Sequence, residues 1–232
     1  MERSGQPVFL EAKGIHKSYP MGKVSVQVLK GIDIAVQKGE WVAILGASGS
    51  GKTTLLSILG VLERPDNGGV SLEGRSYSSM GRATAAAFRL SKIGFIFQFY
   101  HMLPELTVLE NVMLPGLIYG RSSSSLRKEG AELLVRVGLG ERLEHRPSEL
   151  SGGEQQRAAI ARSFINSPAL ILADEPTGNL DSETGKGILE IFKDLHDFKR
   201  TLIMVTHDPA VARCAGRIVH VRDVIIDEKI GV

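Results

Sequence analysis

The spacing of apolar positions changes several times along the chain, and each change marks an element. Ile32, Ile34 and Val36 alternate with Asp33, Ala35 and Gln37, the period-two pattern of a half-buried strand. Residues 8–38 as a whole read as strands and turns. Lys38-Gly39-Glu40 breaks the pattern. Trp41-Val42-Ala43-Ile44-Leu45 is then a continuous apolar run, as in a strand buried on both faces. A glycine-rich loop leads into an apolar helix at Thr54–Leu59. Residues 65–76 are rich in turn formers around a short strand at Val70–Leu72, residues 82–92 predict a helix, and Ile93–Phe97 a short strand. From Leu106 to Phe164 the period is helical: Leu109, Val112, Met113 and Leu117 share one face, and Leu133, Leu134 and Val137 another. The Ser122–Ser125 run marks a loop and helix start. Leu170–Ala173 and Thr201–Thr206 are further buried strands with a helix near 183–197 between them, and the tail Ile218–Ile226 reads as short strands.

Buried apolar strands alternating with helices predict an α/β fold with a parallel sheet. The 232 residues suit one domain, and 43% apolar with 23% charged residues excludes a disordered chain. The net charge of +2, from 28 basic and 26 acidic residues, gives no argument for nucleic-acid or membrane-surface binding. A single cysteine, Cys214, excludes a disulfide framework and is expected as a small core residue. The His residues show no metal-ligand spacing. No apolar run reaches the ~18–20 residues of a membrane span, and residues 1–7, expected to be flexible, lack the apolar core of a signal peptide. A cytoplasmic protein is expected, with any membrane part supplied by another chain.

Gly46-Ala47-Ser48-Gly49-Ser50-Gly51-Lys52-Thr53-Thr54 matches the phosphate-binding loop, with a buried strand before it and a helix after it. Loop amides and the helix N-terminus supply partial positive charge to a phosphate. Lys52 adds a full charge on the β and γ phosphates, and Thr53 a hydroxyl on Mg²⁺. Leu170–Ala173 ends in Asp174-Glu175, which suits a metal-holding acid and a water-polarising acid. The plainer reading is an acidic N-cap pair for the next helix, against which Pro176-Thr177-Gly178 argues. Ile93–Phe97 leads to Gln98, and Thr201–Thr206 to His207. Either could be structural. Beside a phosphate loop, at the carboxyl ends of buried strands, they become candidate sensors of the γ-phosphate. Leu150-Ser151-Gly152-Gly153-Glu154-Gln155-Gln156-Arg157 contains an S-x-x-E capping box. A cap does not need two glycines, and Gly152 and Gly153 would admit a ligand close to the helix N–H groups, a second anion site.

In this order the phosphate loop, Gln98, the Leu150–Arg157 segment, Asp174-Glu175, Asn179-Leu180-Asp181 and His207 resemble the ABC-type ATPases, over roughly residues 8–226. The resemblance implies a P-loop NTPase (RecA-like) parallel-sheet core. It adds an antiparallel β subdomain, mainly from residues 8–38 and about 65–80, and a helical signature subdomain over about 90–165. All lie in a single ATP-binding domain over residues 8–230. It also implies Mg²⁺-dependent ATP hydrolysis by a head-to-tail homodimer. Each ATP would lie between the phosphate loop of one copy and Ser151 of the other. Asp181 would belong to the loop that communicates across the dimer, His207 would meet the γ-phosphate, and Tyr19, in Lys17-Ser18-Tyr19-Pro20, would stack on adenine. Asp174 and Gln98 would serve the metal, and Glu175 would activate water.

The segments Gly94–Glu105, His145–Leu150 and Ala173–Asp181 look like the lipoprotein-releasing (Lol) and macrolide-exporter (Mac) ATP-binding subunits. That implies a peripheral protein on the cytoplasmic side of the inner membrane, working on integral-membrane permease subunits and not on nucleic acid. Phe99, Tyr100, His101, Met102 and Leu103 either cradle a membrane subunit or belong to the core of the helical lobe. Arg222-Asp223-Val224 departs from the family's Arg-Asp-Gly, so an altered terminal hairpin is expected. Ser163-Phe164 replaces small and aliphatic residues. The alternative is a soluble ABC ATPase of the DNA-repair kind. Those interrupt the core with long coiled coils, and about 98 residues without an extended heptad separate Lys52 from Leu150.

Overall fold

The computed structural model describes residues 8–22, 24–197, 200–222 and 225–227. Its elements run β1 (Val8–Met21), β2 (Val24–Gln37), β3 (Trp41–Leu45), α1 (Lys52–Leu59), β4 (Asn67–Leu72), β5 (Arg75–Ser76), α2 (Arg82–Lys92), β6 (Ile93–Ile96), α3 (Val108–Ile118) and α4 (Ser123–Arg136). There follow α5 (Gly152–Phe164), β7 (Leu170–Asp174), α6 (Ser182–Asp197), β8 (Thr201–Thr206), α7 (Pro209–Ala212), β9 (Arg217–Arg222) and β10 (Ile225–Asp227). The chain divides into two compact units, Met1–Ala86 with Lys199–Val232, and Ala87–Phe198.

In the first unit β2, β1, β4 and β5 form an antiparallel sheet in that order. Its alternation is the one read from the sequence: Ile32, Ile34 and Val36 are buried, while Asp33 and Ala35 are exposed. The same unit holds a parallel layer in which β3 pairs with β8 on one side and β9 on the other. Leu45, the last residue of β3, stands beside Thr206 and His220. Every residue of β8 is buried, as the continuous apolar run predicted. Helix α1 packs on β8 and buries Leu55, Leu56, Ile58 and Leu59. Cys214 corrects its expectation: it is half-buried and its thiol lies 3.9 Å from the Ala210 carbonyl, because it follows the short α7 and does not reach the core. The expected departure at the terminal hairpin falls on Asp223 and Val224, outside the described residues, as do residues 1–7.

In the second unit β6 pairs in parallel with β7, Ile96 beside Ala173. Helices α3, α4 and α5 pack on one another, and α5 lies on β6. Each is started by a side chain. Thr107 and Glu110 form a capping box on α3, Ser122 caps α4, and Ser151 with Glu154 forms the expected box on α5. Leu109, Val112 and Met113 are buried as their spacing predicts, but Leu117 is exposed. The place beside it is taken from α4. A Cβ on Gly116 would come 2.2 Å from a Leu126 methyl, so it is Leu126 that fills this end of the helix pair.

Candidate functional site

The phosphate loop leaves β3 at Leu45 and enters α1 at Lys52, all within the first unit. Gly51 stands at the N-cap with φ 86°, a left-handed conformation that glycine adopts without strain. A Cβ there would lie 2.6 Å from the Val28 carbonyl oxygen. Glycine also brings no side chain to cap α1, so the first N–H groups of that helix remain for a ligand. Lys52 is only 5% exposed, and its ammonium donates to the carbonyls of Gly46 at 2.9 Å and Ala47 at 2.8 Å. The Ser50 hydroxyl is buried without a hydrogen-bond partner. A buried cation, an uncapped helix start and an orphaned hydroxyl within one loop fit a phosphate.

The loop opens on a cavity of about 780 Å³ lined by Ala47, Ser48, Gly49, His207 and His220 among others. That size suits a small organic ligand. His207 follows β8 directly. His220 was missed in the sequence. It sits in the tail, and only the register that sets it beside Leu45 brings it to the loop.

Tyr19 lies on β1 opposite Val26 of β2. Its hydroxyl donates to Glu63 Oε2 at 2.6 Å and is hydrogen-bonded to the Thr54 side chain in the first turn of α1. Burial, followed by the Glu63 hydrogen bond, pushes its phenol above the ordinary value. Thr53 is exposed in the same turn.

In the second unit β7 ends at Asp174, and Glu175 follows with φ 44°. A glutamate held in the left-handed region costs about 1–2 kcal/mol, and such strain concentrates at functional positions. The chain then turns through Gly178 N–H to Glu175 C=O at 3.0 Å. The acid pair does not cap the next helix. That role belongs to Asp181, whose Oδ1 accepts from the N–H groups of Glu183 at 3.1 Å and Thr184 at 3.0 Å. The Thr184 hydroxyl, followed by these N–H groups, holds the Asp181 carboxyl below its usual range. The side-chain amide of Gln98 donates to Asn179 Oδ1 at 3.0 Å, and Asn179 returns a bond to the Gln98 carbonyl at 3.1 Å.

Ser151 is exposed at the start of α5. The glycines after it have a packing reason the sequence did not reveal. A Cβ on Gly152 would lie 2.8 Å from the Tyr100 hydroxyl, and one on Gly153 2.3 Å from a Thr184 methyl. Close packing against Thr184 therefore asks for glycine at 153, and the Tyr100 hydroxyl would have to shift to admit a side chain at 152.

Three more side chains support this unit. Gln156, fully buried, donates to the Pro176 carbonyl at 2.7 Å and ties α5 to the turn after Glu175. Asn111, also fully buried, donates to the carbonyls of Leu103, Leu106 and Thr107 and accepts from Leu103 N–H. Arg162 donates to the carbonyls of Tyr100 and His101, both at 2.6 Å, and burial lowers its pKa. Asn111 and Arg162 hold residues 100–107 in place. Phe99, just before that segment, is 67% and Leu103 44% exposed, so these two do not belong to a core, while Tyr100 and Met102 are half-buried. Among the described residues no cluster of three or more His, Cys, Asp or Glu could hold a metal.

Fold and loop together define a P-loop NTPase. The family model described as ABC transporter matches residues 29–178. The chain belongs to the ABC transporter family. It is 46% identical over 232 residues to a lipoprotein-releasing system ATP-binding protein, LolD 2, of Rhodopirellula baltica, covering 97% of this chain and 91% of that one. It is 48% identical to a macrolide export ATP-binding/permease protein, MacB, of Syntrophobacter fumaroxidans, covering 96% of this chain but only 32% of that longer protein. Among solved structures it superposes with a TM-score of 0.88 on the dimeric ATP-binding cassette MJ0796 in a post-hydrolysis state with ADP and Pi. That match is at 39% identity and covers 94% of this chain and 97% of the other.

Proposed function

We propose that the chain binds and hydrolyses Mg-ATP as a homodimer and powers integral-membrane permease subunits, in lipoprotein release or a related export. The observation that carries the nucleotide reading is the phosphate loop with Lys52 buried in it and the Ser50 hydroxyl unpartnered. In this reading the amides of Gly46–Thr54 and the Lys52 ammonium bind the phosphates, and Tyr19 stacks on adenine. Thr53, Gln98 and Asp174 would hold Mg²⁺, Asp174 through a water. The metal, when bound, neutralises charge that develops on the phosphate oxygens. Glu175 takes the proton of the attacking water, and its turn-fixed backbone orients the carboxylate. His207 and Ser151 of the second copy meet the γ-phosphate, and Asp181 relays between copies.

The exposed Phe99 and Leu103 support a protein partner, since apolar side chains of this size on a pinned segment form a docking surface. The lipoprotein-releasing relative, matched over 91% of its length, favours lipoprotein release over other export. No helix among the described residues is long and apolar enough to cross a membrane. Cell fractionation tests the proposed partnership. Sedimentation with membranes only when the permease subunits are co-expressed is the expected result. Association that nuclease treatment abolishes would instead favour the DNA-repair class.

A further inference from the structure

The phenol of Tyr19 is not a free tip on a packing residue. Glu63, four residues beyond the end of α1, accepts from it at 2.6 Å through Oε2. The other carboxylate oxygen, Oε1, binds Lys17 Nζ at 2.9 Å. Lys17 is itself fixed, by Asp66 at 3.3 Å and the Arg64 carbonyl at 2.9 Å, and its ammonium stands 5.4 Å from the centroid of the Tyr19 ring. The ring is thus gripped at its hydroxyl and covered by a cation. Thr54, two residues after Lys52, bonds the same phenol. The loop that follows the phosphate-loop helix therefore sets the angle of a ring attached to a different strand.

We propose that Glu63 is a positioning residue for base recognition: its carboxylate fixes the Tyr19 ring in the orientation that stacks on the adenine of the bound nucleotide. This rests on the reading of Tyr19 as the base-stacking ring. A ring held in advance loses less rotamer freedom when the base arrives, so the hydrogen bond raises affinity without touching the ligand. Lys17 shares the carboxylate, so the grip combines a neutral phenol and a charged donor on one acceptor.

Calorimetry with Mg-ADP and with inorganic pyrophosphate separates base from phosphate recognition. Glu63→Ala and Tyr19→Phe should each raise the Kd for ADP about 3–10-fold, the range expected from one net hydrogen bond. Neither should change the Kd for pyrophosphate. The double variant should be no weaker than the worse single one, because both remove the same bond. Glu63→Gln, which keeps an acceptor, should restore most of the affinity. If Tyr19→Ala weakens ADP while Glu63→Ala and Tyr19→Phe match the wild type, stacking stands and the positioning role of Glu63 falls. If Tyr19→Ala leaves ADP binding unchanged, the stacking reading fails and takes this proposal with it. If Glu63→Ala weakens pyrophosphate as much as ADP, Glu63 supports the phosphate loop and the proposal is overturned.

Discussion

Glu175 carries the most demanding assignment of any single residue. Its left-handed backbone would be easier for glycine, so the chain bears a cost to keep a carboxylate there. Removing the charge while keeping the shape separates chemistry from binding. Glu175→Gln should lower steady-state ATP hydrolysis about 10²–10⁴-fold, the usual share of a general base. ATP affinity by calorimetry should persist. Hydrolysis at the wild-type rate would end the assignment. The sequence names such residues but not their partners. Lys52, Glu175 and His207 are legible because a motif fixes each by spacing from its neighbours. His220 and Glu63 are not, since the first reaches the loop through strand register and the second through a hydrogen bond over 44 residues.

The elements follow their local signals closely where those signals are chemical. The Ser151–Glu154 box starts its helix at the residue its spacing indicates. What a periodic pattern cannot give is which side of a helix a neighbour will cover, and Leu117, displaced by Leu126, is the instance here. The reason for Gly153 was equally hidden, because the Thr184 methyl it admits belongs to α6. The box on α5 has a pH signature. The Ser151 N–H, followed by its hydroxyl and Arg142, holds the Glu154 carboxyl below its usual value of 4.5. A depressed carboxylate stabilises the folded state fully above that usual value and loses its contribution as pH falls through the lower folded one. Urea midpoints should therefore drop with acid below about pH 4.5, and less steeply in Glu154→Gln, which begins from a lower plateau. Parallel acid limbs in the two proteins would show that the box does not couple to folding.

At the scale of the whole molecule the proposed homodimer would set Ser151, which caps α5, and the N-terminus of that helix against the other copy's nucleotide. Size-exclusion chromatography of Glu175→Gln should show a dimer with Mg-ATP and a monomer without it. Ser151→Arg in that background should bind ATP and stay monomeric, and a dimer there would sink the trans arrangement. The division of the chain also bears on its synthesis. Residues Ala87–Phe198 form a unit from one continuous stretch, whereas β3 is completed only by β8 and β9, whose residues begin 156 positions after Leu45. At about 5–20 residues per second the ribosome takes roughly 10–30 s to bridge that gap. During that interval the apolar run Trp41–Leu45 has no parallel neighbour, while the inserted unit can already close around α3, α4 and α5. A nascent chain halted before Thr201 would thus carry the full phosphate-loop sequence and yet lack the strands that shape it, so nucleotide would be captured only once β8 and β9 have been made.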